Sequence, residues 1–180
     1  MEKETFTTKL HEVCSSDELR PITMCVHFKN GYAYASDGVI VIKQTLDLHS
    51  ILNPECLEDK SIHKDNYKAI MQFDKAVCDD AGVACTNADG RTAFYEYYDR
   101  KNVAIPEFDK ILFPLGEKSV GFIGIDPDRL HRLSKAMHSP TGGLKLQFQG
   151  VDRLILVTAS DINDQFGAIM PVIINDTLFK

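Results

Sequence analysis

Apolar and polar residues alternate with a period of two in three stretches of the chain, a pattern typical of strands that place one face on a core. The first stretch covers residues 22–42, where Ile22, Met24, Val26 and Phe28 alternate with Thr23, Cys25 and His27. Asn30-Gly31 supplies the positive backbone dihedrals of a tight hairpin, and Asp37-Gly38 marks a second turn. The pattern therefore predicts an antiparallel meander whose strands include 32–35 and 39–42.

The other two stretches predict further antiparallel strands. The second covers residues 77–98, with a turn at Asp89-Gly90. The third predicts strands at 144–149, 154–158 and 166–174. Connections within each stretch are too short for parallel crossovers.

Two helices are predicted between these stretches, at residues 126–138 and 64–73. The first begins at Asp126-Pro127, where the aspartate caps the backbone N–H groups and proline occupies the first helical position. Its apolar stripe recurs at spacings of three and four: Leu130, Leu133 and Met137. A third, weaker helix is predicted near residues 8–15.

The order of these elements predicts an α+β fold made of repeated βαβββ-type units, with antiparallel sheets and helices on one face. We divide the chain into an N-terminal region, 1–115, and a C-terminal half-domain, 119–180. The first contains the meander at 20–50, the helix-plus-strands unit at 60–100, and part of a linker at 102–118 that is marked by prolines and a glycine.

Composition narrows the function classes. The 180 residues carry 20 Lys+Arg and 26 Asp+Glu, a net charge of −6, and 44% of them are hydrophobic, which is typical of a globular protein. The five cysteines include no C-x-x-C pair, which favours reduced thiols over a zinc site or disulfides. No apolar run reaches membrane-spanning length and the start lacks a secretion signal, so we expect a cytoplasmic protein.

Enzyme signatures are not found. The sequence contains no phosphate-binding glycine loop, no G-x-S-x-G elbow and no H-E-x-x-H motif. We therefore expect no catalytic residues, no metal site and no cofactor. A small hydrolase is disfavoured because no nucleophile, base and orienting group can be placed together.

Cations lie opposite the apolar stripes of both predicted helices. Helix 64–73 presents Lys64 and Lys68, and helix 126–138 presents Arg129, Arg132 and Lys135. Such faces suit phosphate backbones, because each neutralised phosphate releases a condensed counterion. A basic helix face is also often only a solvated face, so this pattern leaves both interpretations open.

Four segments, in order, resemble the bacterial DNA polymerase sliding clamps, the β-subunit processivity factors. Tyr34-Ala-Ser-Asp-Gly38 resembles a clamp turn, and Ile105-Pro-Glu-Phe-Asp-Lys-Ile-Leu112 resembles the segment that closes a clamp domain. Gly121-Phe-Ile-Gly-Ile-Asp-Pro-Asp-Arg-Leu130 is similar to a strand-to-helix passage. Phe166-Gly-Ala-Ile-Met-Pro-Val172 resembles the C-terminal strand of the family.

The resemblance implies the DNA-clamp fold and a non-enzymatic role in DNA replication. Family clamps place basic residues of inner helices near duplex DNA without reading bases, which here implies Lys64, Lys68, Arg129, Arg132 and Lys135. Clamps also bind linear peptides of replication proteins in a groove. The matching residues here are Ser36, Gly38, Val39, Ile40, Val41, Ile169, Met170, Pro171 and Val172.

Two departures from the family pattern affect these expectations. Val39-Ile40 replaces the family's His-Arg, which changes polar recognition in any groove. The chain is about half as long as a clamp subunit, so a closed ring would require a homo-oligomer. The alternative is a clamp-fold adaptor that binds a protein partner without contacting DNA.

Overall fold

A computed structural model of the chain describes residues 3–112, 120–139, 142–161 and 164–173. Three α-helices lie in these ranges: α1 (Lys64–Ile70), α2 (Phe108–Ile111) and α3 (Pro127–Ala136). The strands are β1 (Cys25–Lys29), β2 (Tyr32–Ser36), β3 (Ile40–Thr45), β4 (Ser61–His63), β5 (Lys75–Cys78), β6 (Gly82–Thr86), β7 (Thr92–Glu96), β8 (Leu144–Gln147), β9 (Ile155–Ala159) and β10 (Gln165–Ile169). Short 3-10 helices lie at Leu10–Glu12, Pro21–Met24, Leu46–Leu48 and Pro54–Leu57.

The strands form two antiparallel sheets. The larger has seven strands in the order β4-β1-β2-β3-β10-β9-β8, and the smaller has the order β5-β6-β7. In the larger sheet, β3 pairs with β10 in a register that places Ile40 opposite Ile169 and Gln44 opposite Gln165. The meander near the start of the chain and the strands near its end therefore share one continuous sheet.

Helices α1 and α3 pack on the same core, with the 3-10 helix Leu10–Glu12 in contact with both of them. Tyr67 and Ile70 of α1 and Leu133 of α3 belong to one buried cluster. The ring of Phe6 stacks on Tyr67 at 4.3 Å between centroids, and both side chains are buried in this cluster. The helices thus lie on one face of the large sheet, as the repeated-unit pattern predicts.

The opposite face of the large sheet is partly covered by the segment around α2. Ile105 and Phe108 are buried with Tyr34, and the rings of Tyr34 and Phe108 stack at 5.4 Å. Residues 102–112, which the sequence predicts as part of a linker, therefore include residues that pack on the sheet.

Several predicted elements are shorter than expected. Ile22 and Met24 lie in the 3-10 helix Pro21–Met24 rather than in a strand, since Pro21 has the backbone dihedral of a first helical turn. The helix expected at 8–15 is reduced to Leu10–Glu12, and α1 ends at Ile70 instead of residue 73. Strand β10 ends at Ile169, and residue 174 of the predicted strand lies outside the described residues.

All five cysteines are free, and four of them are buried. Burial raises the pKa of Cys25 and Cys78 to about 12, so these thiols stay protonated at neutral pH. Among the described residues, no helix combines the length and apolarity needed to cross a bilayer.

Two buried histidines, His27 and His49, stay neutral in the folded chain. The Nε2 atom of His27 donates to the Ile22 carbonyl at 2.8 Å, and its Nδ1 accepts from the Ser61 hydroxyl at 2.8 Å. Burial lowers the pKa of His27 to about 4. Burial, with a further contribution from His138, lowers the pKa of His49 to about 4.

These histidines predict a loss of stability in mild acid. Their pKa is lower in the folded than in the unfolded state, so only the unfolded chain takes up protons as the pH falls from about 6.5. We expect each histidine to lower the free energy of unfolding by about 2 kcal/mol between pH 6.5 and pH 5. Urea denaturation at the two pH values measures this change in the free energy of unfolding. The variant His27→Gln should show a weaker dependence of that free energy on pH. A stability that is equal at both pH values would contradict it.

Candidate nucleic-acid interface

Helices α1 and α3 and the 3-10 helix between them surround a depression of about 570 Å³. Four of the five cations singled out in the sequence line this depression: Lys64, Lys68, Arg129 and Arg132. Lys135 is exposed one turn further along α3 but does not line the depression. The fold therefore brings together cations that lie about 65 positions apart in the sequence.

The local structure of α3 explains the position of its cations. The Asp126 side chain caps the helix by accepting from the backbone N–H groups of Asp128 and Arg129, at 2.9 and 3.4 Å. Leu133 and Ala136 are buried, which turns the opposite side of α3 outward. Arg129 also lies 3.3 Å from the Asp126 carboxylate, so its charge is partly paired.

Arg132 is engaged within the protein. Its guanidinium donates to the Glu12 carbonyl and to the Asp37 carboxylate, both at 2.8 Å, and to the Val13 and Cys14 carbonyls at 3.3 Å. It thereby satisfies carbonyls at the end of the 3-10 helix Leu10–Glu12. Arg132 holds the N-terminal segment against α3 and the Asp37 turn.

Lys64 holds the next residues of the same segment. Its ammonium donates to the Ser15 carbonyl at 2.8 Å and to the Ser16 hydroxyl at 2.7 Å. Among the described residues, Lys68 and Lys135 have no carboxylate within 4.0 Å, and both are exposed. Lys68 and Lys135 are thus the two sequence-predicted cations whose charge is most available to a ligand.

Acidic residues reduce the positive potential of the depression. Glu12, Asp37 and Asp65 line it beside the four cations. His11 also lines it, and burial lowers the pKa of this histidine, which favours its neutral form. Only tertiary structure brings Glu12 and Asp37 beside the helices, so the helix pattern alone could not identify them.

The residues expected to form a peptide groove lie in several environments. Met170, Pro171 and Val172 line an apolar depression of about 480 Å³. Ile40 and Ile169 are buried in the main core, Val41 is buried on the other face of the sheet, and Val39 lines the cationic depression. Ser36 and Gly38 form the turn before β3, where the Ser36 hydroxyl donates to the Ile40 carbonyl at 2.7 Å.

Other residues complete the apolar depression. Phe122, Ile123 and Val151 line it together with Ile173. Phe122 and Val151 are 54% and 62% exposed. Large apolar side chains that are exposed next to one another are uncommon on a protein surface and often mark an interaction site. The sequence pattern did not single them out, because neither lies in a strand or helix with a clear period.

This architecture of short helices lying on one face of antiparallel sheets defines an α+β clamp-like fold. Solved bacterial sliding clamps have the same fold. The chain matches the β subunit of DNA polymerase from Streptococcus pyogenes with a TM-score of 0.62 and 14% identity, covering 91% of this chain and 62% of that one. It matches the sliding clamp from Bacillus subtilis with a TM-score of 0.61 and 12% identity, covering 97% and 65%.

A third match is a sliding clamp from Bartonella birtlesii bound to griselimycin, with a TM-score of 0.63 and 11% identity, covering 92% of this chain and 63% of that one. The chain therefore spans less than two thirds of the length of these clamps. No protein-family model and no curated protein sequence matches it. At such low identity, the comparisons confirm the predicted clamp fold, and they show the fold alone.

The contacts of Arg132 predict that it contributes to stability. Removing its side chain in Arg132→Ala leaves carbonyls of residues 12–14 and the Asp37 carboxylate without their partner. We expect the free energy of unfolding to fall by about 2 kcal/mol. Lys135→Ala is the control, because this exposed lysine has no such partner, and should change it by less than about 0.5 kcal/mol. Equal effects of the two variants in urea denaturation would contradict this role.

Proposed function

We propose that this chain is a non-enzymatic, clamp-like protein of the cytoplasm that contacts duplex DNA nonspecifically through its cationic helix face. The observation that supports this proposal is the arrangement of cations around one depression. Helices α1 and α3 come from different parts of the sequence, and together they contribute Lys64, Lys68, Arg129 and Arg132 to its lining. In this proposal Lys68, Arg129 and Lys135 contact phosphates directly. Arg132 and Lys64 act mainly by holding residues 12–16 in place.

DNA affinity by contact alone is expected to be weak. The chain has a net charge of −6, and carboxylates lie among the cations of the depression. Few phosphates are therefore neutralised, and salt screens each contact. Persistence on DNA would come from enclosure, which for a chain of this length requires several copies.

One observation favours a different function, a clamp-fold adaptor that binds proteins and not DNA. Two of the five cations form hydrogen bonds within the chain, and a third lies beside a carboxylate. The two functions differ in one measurable property, which is binding to duplex DNA at low salt.

The DNA proposal predicts that the variant Lys68→Ala/Lys135→Ala binds duplex DNA more weakly and with a smaller dependence on salt. Each lost phosphate contact should reduce the slope of log affinity against log salt concentration by about 0.9, because one fewer counterion is released. Fluorescence anisotropy with a labelled duplex of mixed sequence, measured from low to moderate salt, gives this slope. The base sequence of the duplex should have little effect.

Lys101→Ala/Lys145→Ala is the matched control. Both lysines are exposed and neither lines the cationic depression, so DNA binding should be unchanged. If the wild-type chain does not bind DNA at low salt, or if both double variants behave alike, the adaptor function is favoured.

We also propose that the apolar depression at Met170, Pro171 and Val172 receives linear peptides of replication or repair proteins. Exposed apolar side chains in one concave place favour an amphipathic peptide as the occupant. The Met170 N–H donates to the Val39 carbonyl at 3.0 Å, which fixes this segment beside the turn before β3. The depression is therefore pre-formed.

The peptide proposal predicts that Val172→Asp weakens ligand binding at the depression. A carboxylate placed among Phe122, Met170 and Pro171 would lose its hydration when a ligand covers it. Griselimycin is a suitable probe, since a clamp of the same fold was solved bound to it. We expect calorimetric titration to show binding to wild-type protein and at least about tenfold weaker binding to the variant. Phe94→Asp, on the other sheet, is the control, and equal losses in both variants would contradict the proposal.

A further inference from the structure

One serine lies among the cations of the depression between α1 and α3. Ser16 lines this depression together with Lys64, Lys68, Arg129 and Arg132. Its hydroxyl accepts from the Lys64 ammonium at 2.7 Å. A group attached to the Ser16 Oγ atom would therefore begin within hydrogen-bond distance of a positive charge.

The loop that begins at Ser16 is largely exposed. Ser16, Glu18 and Arg20 are exposed, and Leu19 is 91% exposed, so the loop protrudes from the surface. The Asp17 carboxylate holds its shape by accepting from the Leu19 N–H at 3.0 Å and from the Arg20 Nε–H at 2.9 Å. Another protein can therefore reach the Ser16 hydroxyl.

The neighbouring serine is not accessible in the same way. Ser15 is 7% exposed, and its hydroxyl accepts from the Asp17 N–H at 3.0 Å. Its backbone N–H donates to the Thr23 carbonyl at 2.8 Å. Of the two consecutive serines, only Ser16 combines an exposed position with a hydroxyl that has a cationic partner.

Lys64 and Lys68 have no carboxylate within 4.0 Å in the described part of the chain. The partners of Lys64 are neutral oxygens, a backbone carbonyl and the Ser16 hydroxyl. Lys68 follows four residues later, on the same side of α1. The Asp37 carboxylate, which also lines the depression, is paired with Arg132 at 2.8 Å. Both lysines therefore remain available to an anionic group at Ser16.

We propose that Ser16 is a phosphorylation site and that its phosphoryl group occupies the cationic depression. A protein kinase would transfer the γ-phosphoryl group of a nucleoside triphosphate. The bond from Oγ to phosphorus forms, the bond from phosphorus to the β–γ bridging oxygen breaks, the hydroxyl proton passes to a base of the kinase, and the nucleoside diphosphate leaves. Asp17 and Glu18 follow the serine directly, which suits a kinase with a basic substrate groove.

A phosphoryl group at this position would compete with DNA for the same cations. It adds a charge of about −1.5 to −2 and three strong acceptor oxygens. Charge-assisted hydrogen bonds to Lys64 and Lys68 would then replace the single bond to the hydroxyl. Lys68 is one of the residues through which the proposed function contacts DNA phosphates, so phosphorylation would weaken DNA binding. This effect rests on the proposed function, whereas the modification itself does not.

The first measurement is the modification of the full chain by ATP and a kinase that prefers acidic residues after the serine. Mass spectrometry should locate a phosphoryl group at Ser16, and Ser16→Ala should carry none at that position. Lys64→Ala/Lys68→Ala should still be modified, since these lysines hold the product and not the nucleoside triphosphate. A wild type that is not modified, or is modified only at other residues, would overturn the proposal.

The second measurement is DNA binding by a chain synthesised with phosphoserine at position 16. We expect at least about tenfold weaker binding to duplex DNA at low salt, and a slope of log affinity against log salt concentration that is smaller by about 0.9. Phosphoserine at position 50 is the matched control, because Ser50 is exposed, receives the same charge and does not line the depression. Equal losses in the two chains would overturn the placement of the phosphoryl group in the depression.

Thermal unfolding tests the same placement without DNA. Bonds to Lys64 and Lys68 should raise the melting temperature of the phosphorylated chain by at least about 2 °C, and the gain is limited by Glu12 and Asp65, which also line the depression. The gain should disappear in Lys64→Ala/Lys68→Ala. No gain in the wild type, or an equal gain without the two lysines, contradicts the proposal. If the chain is stabilised in this way but does not bind DNA when unmodified, the DNA function fails and the phosphorylation site stands.

Discussion

The antiparallel pairing of β3 with β10 joins the meander β1-β2-β3 to the strands β8-β9-β10, and the placement of α3 depends on it. We call this β3–β10 pairing the seam. Gln44 and Gln165 lie opposite each other at the seam and are fully buried. The Gln44 amide donates to the Ala136 carbonyl and to the Gln165 side chain, both at 2.8 Å. The His138 N–H donates to the same Gln165 side chain at 2.8 Å. The seam therefore also holds the C-terminal end of α3, since buried polar groups of this kind are costly unless paired.

Close packing between α3 and β10 adds to the contacts at the seam. A Cβ atom added at Gly167 would lie 2.9 Å from two methyl carbons of Leu133, so α3 can approach β10 only where there is no side chain. The Thr8 hydroxyl donates to Gln44 at 2.6 Å, which ties the N-terminal segment to the same network. The cationic depression is thus a consequence of the seam, because α3 carries Arg129 and Arg132 to the position where they meet α1.

The parts of the fold that depend on local pattern are predictable from the sequence. The cap at Asp126, the apolar stripe of α3 and the turn at Asp89-Gly90 are encoded within a few residues of each other, and the structure contains each of them. The seam was not predictable in the same way, because strand pairing across about 125 positions leaves no periodic signal. The helix pattern likewise predicted the five cations but could not predict the partners of Arg132. Those partners are residues 12–14 and 37, which are distant from Arg132 in the sequence. The division at residues 115 and 119 stays a prediction.

The balance of charge in the depression limits how such a surface can act. A helix face that held DNA by affinity alone would need many free cations. Here two of the five cations are bound within the chain, and three carboxylates lie beside them. Weak, screened contacts allow a protein to move along a duplex, since no single phosphate is held strongly. Such contacts cannot keep it there. Lasting attachment to DNA would then have to come from enclosure of the duplex and not from the contacts of this face.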